Sequence, residues 1–207
     1  MHHTDPARAA FFAAIGRAVA PLELSDAVTA ELSAACDLKP VAKGQDLLRC
    51  GNVAEHIFFV VQGLLRFIFT DPETGEERTA QFFDENRLFT DAASFMTGTP
   101  ATQAIQALED ALVLRVPRAA VYAAYAKDHA FERFGRLMVE EALIGSQRRS
   151  TNLLRLGPDE LYRTFWATRP EVARRVPQYV IASYIGITPE ALSRIRGRLA
   201  RKPTPDN

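Results

Sequence analysis

Hydrophobic and polar residues follow different periods in different parts of the chain. From residue 5 to residue 35, apolar side chains recur at three- and four-residue spacing, as at Phe11, Ile15 and Val19, which predicts helices. Ser25 is a suitable N-cap for the second of them. Short β-rich runs bounded by turn residues then cover residues 46–49, 56–61, 64–70, 77–83, 103–107 and 111–116. Regular short strands of this kind predict an antiparallel sandwich or barrel.

The helical period returns after residue 118 and continues to the end of the chain. A long helix is predicted to reach about residue 154. Its broad apolar face is formed by Phe131, Phe134, Leu137, Met138 and Ile144. Pro158 follows Gly157 and fits the first position of the next helix. The sequence therefore predicts an α+β chain in three parts: residues 1–120, 121–156 and 157–207.

Residues 177–202 carry the most informative pattern of the chain. Pro177 can open a helix that ends at Gly186, where a tight turn needs a residue tolerant of positive φ. Thr188 is a strong N-cap and Pro189 fits the first position of a second helix. That helix buries Leu192, Ile195 and Leu199 and leaves outside Glu190, Ser193, Arg194, Gly197 and Arg198. An ordinary helical hairpin uses the same spacing, but the outward Arg and Glu have specific partners on DNA base edges.

Charge distribution supports a polyanionic partner, although the formal net charge is zero. Residues 71–91 contain seven acidic residues against two arginines, whereas residues 171–202 contain seven basic residues against two glutamates. The longest apolar runs are too short to span a membrane, and the first 12 residues do not resemble a secretory signal. The two cysteines, Cys36 and Cys50, form no disulfide framework and are predicted to be small buried hydrophobes. We therefore expect a cytoplasmic protein without membrane contact.

Two other functional classes share part of this pattern. A cupin-like metal enzyme also uses a small β-barrel, but it needs clustered His and carboxylate ligands. The chain has only His2, His3, His56 and His129, and it lacks nucleophile-elbow and phosphate-loop motifs. No catalytic or metal site is therefore predicted. The other alternative is an adaptor module that resembles a cyclic-nucleotide-binding domain and lacks specific DNA recognition, which the outward face of the last helix argues against.

The order of these parts resembles the Crp/Fnr family of bacterial regulators over nearly the whole chain. The resemblance rests on Gly51, Ile57-Phe58-Phe59-Val60 and Gly63, on Leu108-Glu109-Asp110, on Leu161-Tyr162, and on the run from Ile181 to Thr188. It implies an antiparallel β-roll sensor domain at 1–120, a dimerisation helix at 121–156 and a winged helix-turn-helix at 157–207. The apolar stripe Phe134, Leu137, Met138 and Ile144 is then the predicted seam of a homodimer.

The resemblance also implies a mode of DNA binding. Glu190, Ser193 and Arg194 fall where the Fnr-type branch places its base-reading residues, which implies palindromic DNA with TTGA-containing half-sites. Pro189 departs from the family pattern and leaves part of the half-site undetermined. Contacts to the DNA backbone are assigned to Thr188, Arg198, Arg201 and Lys202. RNA polymerase is a further partner that the resemblance implies.

The predicted ligand pocket departs most from the family. Members that bind cyclic AMP have Gly-Glu before a short helix and Arg-Ser or Arg-Thr before the next strand. The corresponding positions here are Thr90, Asp91 and Ala92, and then Ala101 and Thr102. A buried phosphate without a cationic partner is costly, so ordinary binding of cyclic AMP is not expected unless Arg66, Arg78 or Arg87 reaches the pocket. No cofactor is predicted: two cysteines do not suit an iron–sulfur cluster, and the effector stays unidentified.

Overall fold

The structure is a computed structural model that describes residues 5–200. The described strands are β1 (Asp37–Val41), β2 (Asp46–Leu48), β3 (His56–Gln62), β4 (Leu65–Thr70), β5 (Glu77–Phe83), β6 (Leu88–Phe89), β7 (Ala104–Ala107) and β8 (Ala111–Pro117). The described helices are α1 (Pro6–Val19), α2 (Asp26–Ala35), α3 (Ala92–Thr97), α4 (Arg118–Lys127), α5 (His129–Arg155), α6 (Pro158–Thr168), α7 (Pro170–Arg175), α8 (Gln178–Ile185) and α9 (Pro189–Ala200). The α+β prediction, with strands between helical stretches, is confirmed.

The eight strands within residues 5–200 form two four-stranded sheets, in the orders β1-β8-β3-β6 and β2-β7-β4-β5. The pairing of β8 with β1 and with β3 is antiparallel, with Leu114 opposite both Leu38 and Phe59. All six predicted strands are present within one or two residues of their predicted bounds. Strands β1 and β6 were not predicted.

The chain divides into two compact units. The first contains Phe82–Gly145 and the described residues up to Phe67, and the second contains Ile68–Gln81 and the described residues from Ser146. The first unit is the β-roll with α1 to α4 and the start of α5. The three predicted parts did not anticipate that the tip of the β4–β5 hairpin would group with the last helices.

Phenylalanines fill the interior of the first unit. The rings of Phe83 and Phe89 stack with centroids 4.2 Å apart, and Phe67 meets Phe83 edge-on at 4.8 Å. Phe58 lies 5.6 Å from Phe89, and all four side chains are at most 8% exposed. Close-packed aromatic rings leave little space between them, because protein interiors are as dense as organic crystals.

The predicted long helix is two helices that meet at Asp128. The Asp128 carboxylate accepts hydrogen bonds from the N–H groups of Ser25 (2.8 Å) and Phe131 (3.0 Å), so it caps α5 and ties it to the start of α2. Burial would raise the pKa of Asp128, but these main-chain donors outweigh burial and hold the pKa below its usual value.

Helices α4 and α5 also pack closely. Gly135 of α5 faces the Tyr125 ring of α4 so closely that a Cβ atom would lie 2.3 Å from the phenol oxygen.

The second unit combines four helices, the end of α5 and the tip of a hairpin. Ser183 in α8 bonds to β5: its hydroxyl accepts from the N–H of Thr79 (2.9 Å) and donates to the carbonyl of Glu77 (3.2 Å). Among the described residues from 146 to 200, every regular element is a helix, so the wing strands that the resemblance implied are not seen in that stretch. The short helix α7, which begins at Pro170, connects α6 to α8 there.

The two cysteines differ. Cys36 is 3% exposed, as predicted, and burial raises the pKa of its thiol to about 11. Cys50 is exposed, contrary to the prediction that both are buried. It lies in the turn after β2, beside Gly51, and such connecting segments run over the protein surface.

Candidate functional site

The helix-turn-helix has the local geometry that its sequence predicted. Helix α8 ends at Gly186, whose φ of +78° is easily adopted only without a Cβ atom. The N–H of Ile187 then bonds back to the carbonyl of Ala182 at 3.0 Å, which closes the turn. Thr188 caps α9 by accepting a hydrogen bond from the N–H of Ala191 at 3.2 Å. The turn and the cap fix the direction in which α9 leaves α8.

Helix α9 has one buried face and one exposed face. Leu192 and Ile195 are 1% and 4% exposed and form the buried face. The three predicted base-reading residues, Glu190, Ser193 and Arg194, are all exposed. Hydrogen bonds from its own main-chain N–H and from the Thr188 hydroxyl, together with the nearby Arg194, hold the pKa of Glu190 below its usual value. Glu190 therefore offers a charged acceptor at neutral pH.

The predicted backbone-contact residues lie in different surroundings. Thr188 is exposed, whereas the Arg198 guanidinium is paired with Asp159 of α6, Nε lying 3.1 Å from Oδ2. Arg201 and Lys202 lie outside the described residues. Sequence reasoning overlooked Tyr179, which is 61% exposed in the first turn of α8. A single aromatic residue at the start of a helix gives no periodic signal that could have revealed it.

Three of the five predicted ligand-pocket residues, Thr90, Asp91 and Ala101, form hydrogen bonds within the protein. The Asp91 carboxylate is 3% exposed and caps α3 by accepting from the N–H of Ser94 at 2.9 Å. The Thr90 hydroxyl donates to the carbonyl of His56 at 2.8 Å. Ala101 is 3% exposed, and its N–H donates to the carbonyl of Asn52. Ala92 and Thr102 are exposed.

The three arginines named as substitutes for the missing phosphate ligand also have partners. Arg66 is 5% exposed and donates to the Gln106 side chain at 2.8 Å. Arg78 pairs with Glu76 at 3.3 Å. Arg87 lies 3.8 Å from Asp84 and 3.5 Å from Glu141, with more than half of its side chain exposed. Each guanidinium is therefore directed towards acceptors of the protein itself.

The four residues of the predicted dimer seam differ in exposure. Phe134 is 5% exposed and contacts Phe131 with ring centroids 5.9 Å apart, so its side chain is used within the protomer. Leu137 and Met138 are half-buried, and Ile144 is 63% exposed. Other apolar residues of α5 are also exposed: Val139 (49%), Leu143 (57%), Leu153 (43%) and Leu154 (87%).

The described residues offer neither a metal site nor a membrane span, and one surface cavity lies apart from the predicted pocket residues. Within residues 5–200 no group of three or more His, Cys, Asp or Glu side chains is arranged to hold a metal ion. None of the helices in this part of the chain is both long enough and apolar enough to cross a membrane. A surface cavity of about 380 Å³ lies between α1 and α2, lined by Phe12 and Leu24, and neither Asp91 nor Ala101 contributes to it.

The chain is similar to known proteins in sequence over one domain and in structure over most of its length. Residues 38–128 match the family model of the cyclic nucleotide-binding domain. No protein of curated function matches the chain in sequence. Solved structures match most of the chain, and three of them have the following similarity.

FixK2 from Bradyrhizobium japonicum is 21% identical, with a TM-score of 0.72 over 80% of this chain and 84% of its own. A transcriptional regulator of the Crp/Fnr family from Eubacterium rectale is 15% identical, with a TM-score of 0.71 over 86% of this chain and 84% of its own. The c-di-GMP-responsive global regulator CLP of Xanthomonas campestris is 14% identical, with a TM-score of 0.66 over 85% of this chain and 92% of its own. At such identities these likenesses establish the fold.

Proposed function

Because the chain carries a cyclic nucleotide-binding domain and has the Crp/Fnr fold, we propose that it is a sequence-specific DNA-binding transcription regulator. One observation carries the proposal: Glu190, Ser193 and Arg194 are exposed on one side of α9, while Leu192 and Ile195 bury the other side. The proposed role is binding and not catalysis.

The exposed face of α9 has the chemistry for reading DNA bases. An arginine can donate two hydrogen bonds to guanine O6 and N7, a glutamate can accept from cytosine N4, and a serine can do either. All three residues lie in the first half of α9, the part of a recognition helix that enters the major groove. The proposed target is a palindrome with TTGA-containing half-sites, and RNA polymerase stays a predicted partner.

Contacts to the DNA backbone are proposed for residues at the edge of this face. Thr188 offers a hydroxyl beside the N-terminus of α9, and Tyr179 offers an exposed phenol at the N-terminus of α8. Arg198 would have to exchange its Asp159 partner for a phosphate. Such an exchange is inexpensive, because ion pairs at exposed positions contribute little to stability.

Selection of random duplex DNA with the purified protein tests this function. We expect enrichment of a palindrome whose half-sites contain TTGA and are centred about one helical turn, roughly 34 Å, apart. Glu190→Gln keeps the side-chain size and removes the carboxylate, so it should relax one base position of the enriched motif. No enrichment at all would contradict the proposal and favour the adaptor alternative. Enrichment without a palindrome would contradict the proposed two-half-site target.

We propose a dimer seam along the exposed side of α5. Val139, Leu143, Ser146, Ser150 and Leu153 follow one another at spacings of four, three, four and three residues. This is the spacing of the inner positions of a two-stranded coiled coil, and all five residues are exposed in the protomer. Two copies of the chain would bury the exposed leucines by pairing these faces.

Leu143→Asp is expected to split the dimer, because it would bury a carboxylate from each protomer in the seam. The dimer dissociation constant should rise by about a hundredfold or more, measured by sedimentation equilibrium. Ile144→Asp is the matched control: the neighbouring residue is equally exposed but points about 100° away on the helix. If Ile144→Asp splits the dimer and Leu143→Asp does not, the seam is the predicted stripe of Phe134, Leu137, Met138 and Ile144.

A further inference from the structure

Arg149 of α5 contacts Tyr184 at the end of α8. The Arg149 guanidinium carbon lies 3.8 Å from the centroid of the Tyr184 ring, and Nη2 donates to the main-chain carbonyl of Tyr184 at 2.7 Å. Both residues belong to the second compact unit. Arg149 therefore contacts Tyr184 twice, once through the ring face and once through the backbone.

The backbone contact falls where a helix needs a partner. The carbonyl of Tyr184 is among the last four of α8, which find no N–H donor inside the helix. A cation at this position is also stabilised by the negative end of the helix dipole. Burial lowers the pKa of Arg149, and its interactions with Tyr184 oppose that effect. The guanidinium nevertheless stays charged, as arginine does in proteins.

The contact lies directly behind the turn that directs α9. Tyr184 precedes Gly186 by two residues and Thr188 by four, so only a short stretch separates it from the cap of α9. Within that stretch, the N–H groups of Gly186 and Ile187 donate back to carbonyls of α8. The preceding residue, Ser183, is held by β5 through two hydrogen bonds. The end of α8 is therefore held by β5 through Ser183, by α5 through Arg149, and by α6 through the Phe165 ring, whose centroid lies 5.1 Å from that of Tyr184. Of these elements, only α5 belongs to the proposed dimer seam.

We propose that Arg149 is the positioning residue that sets the recognition helix relative to the dimer helix, and thereby the half-site spacing that the protein accepts. The proposal rests on the proposed function, because it presupposes a dimer that reads two half-sites. Arg149 needs no contact with DNA in this role. Its planar guanidinium stacks on the Tyr184 ring and donates a hydrogen bond at the same time, a combination that a flexible ammonium group cannot reproduce.

The test compares Arg149→Met, Arg149→Lys and the control Arg148→Met, a neighbouring exposed arginine of the same helix. Each is measured against the selected palindrome, palindromes with two base pairs added or removed between half-sites, and a single half-site. Arg149→Met should weaken binding to the selected palindrome by about 10- to 100-fold, because a stacked and charged hydrogen bond is lost. It should bind the three spacings nearly equally, whereas the wild-type protein prefers one of them.

Two readouts separate positioning from other roles. Affinity for a single half-site and the slope of affinity against salt should not change in Arg149→Met, since no phosphate contact is removed. Arg149→Lys should restore the overall charge without restoring the spacing preference. Arg148→Met should keep the spacing preference of the wild-type protein.

The contrary outcomes are distinct. A lowered salt slope in Arg149→Met would mean that Arg149 binds phosphate directly, and an unchanged spacing preference would mean that it does not position α9. Either result overturns this inference while the palindrome selected by the wild-type protein still stands. If the wild-type protein selects no palindrome, the proposed function itself fails.

Discussion

Cyclic AMP titrated into the protein up to about a millimolar concentration is expected to give no saturable heat in calorimetry. The cyclic phosphate would lack its cationic partner, because Ala101 stands where the arginine is expected, and Arg66, Arg78 and Arg87 already have partners within the protein. The Asp91 carboxylate caps α3, and phenylalanines fill the interior of the roll. The loss of one charge-assisted phosphate pair alone costs several kcal/mol, and each 1.4 kcal/mol is about tenfold in affinity.

Two variants make this titration decisive. Ala101→Arg restores the cation and should still give no saturable heat, because the Asp91 carboxylate remains engaged as the N-cap of α3. Asp91→Asn removes the carboxylate charge but keeps an N-cap for α3, so it should not impair folding. A low-micromolar dissociation constant for the wild-type protein that is lost in Asp91→Asn would show that the pocket binds cyclic AMP after all.

Arg194→Ala is expected to weaken binding to the selected palindrome by about 1–3 kcal/mol per half-site, or roughly 5- to 150-fold. The physical reason is that alanine leaves the O6 and N7 acceptors of a guanine without donors in an interface that excludes water. Affinity for random duplex DNA should fall much less, so specificity should fall with affinity. Fluorescence anisotropy with both duplexes at two salt concentrations measures these quantities.

Arg196→Ala is the matched control for Arg194→Ala. Arg196 is also exposed on α9, but two residues further along it points about 200° away from Arg194. The substitution removes the same charge and should change the affinities for specific and random DNA by the same small factor. If the two variants behave alike on both duplexes, Arg194 reads no base.

The helix-turn-helix could be predicted from the sequence because its determinants are local. Gly186 must tolerate a positive φ, Thr188 must cap, and Leu192 and Ile195 must share a face, and each of these requirements concerns residues a few positions apart. The candidate base-reading face follows from the same local rules. Its role on DNA comes from the family resemblance and awaits the selection experiment.

What was missed depends on tertiary contacts. Strand β1 contains Pro40, which disfavours a strand in a sequence, but β1 lies at the edge of its sheet, where a proline costs no ladder bond on the outer side. The break between α4 and α5 follows from Asp128 bonding to Ser25, 103 residues away in sequence. The Arg149–Tyr184 contact spans 35 residues, and neither residue belongs to a motif that announces the other.

The apolar face of α5 shows why a helical period is an incomplete guide. The predicted stripe took Phe134, Leu137, Met138 and Ile144 together, yet the structure buries the first and exposes the last. A long helix that packs on its own domain along one side and remains open on another has two apolar faces. Their separation can be seen only when the neighbours of the helix are known.

The contact between Ser183 and β5 also affects the behaviour of the protein at high concentration. Strand β5 lies at the edge of its sheet, and an uncovered edge is a template on which strands of other molecules can add and aggregate. The Ser183 hydroxyl occupies both the N–H of Thr79 and the carbonyl of Glu77. Helix α8 therefore also shields this part of the edge from intermolecular β-pairing.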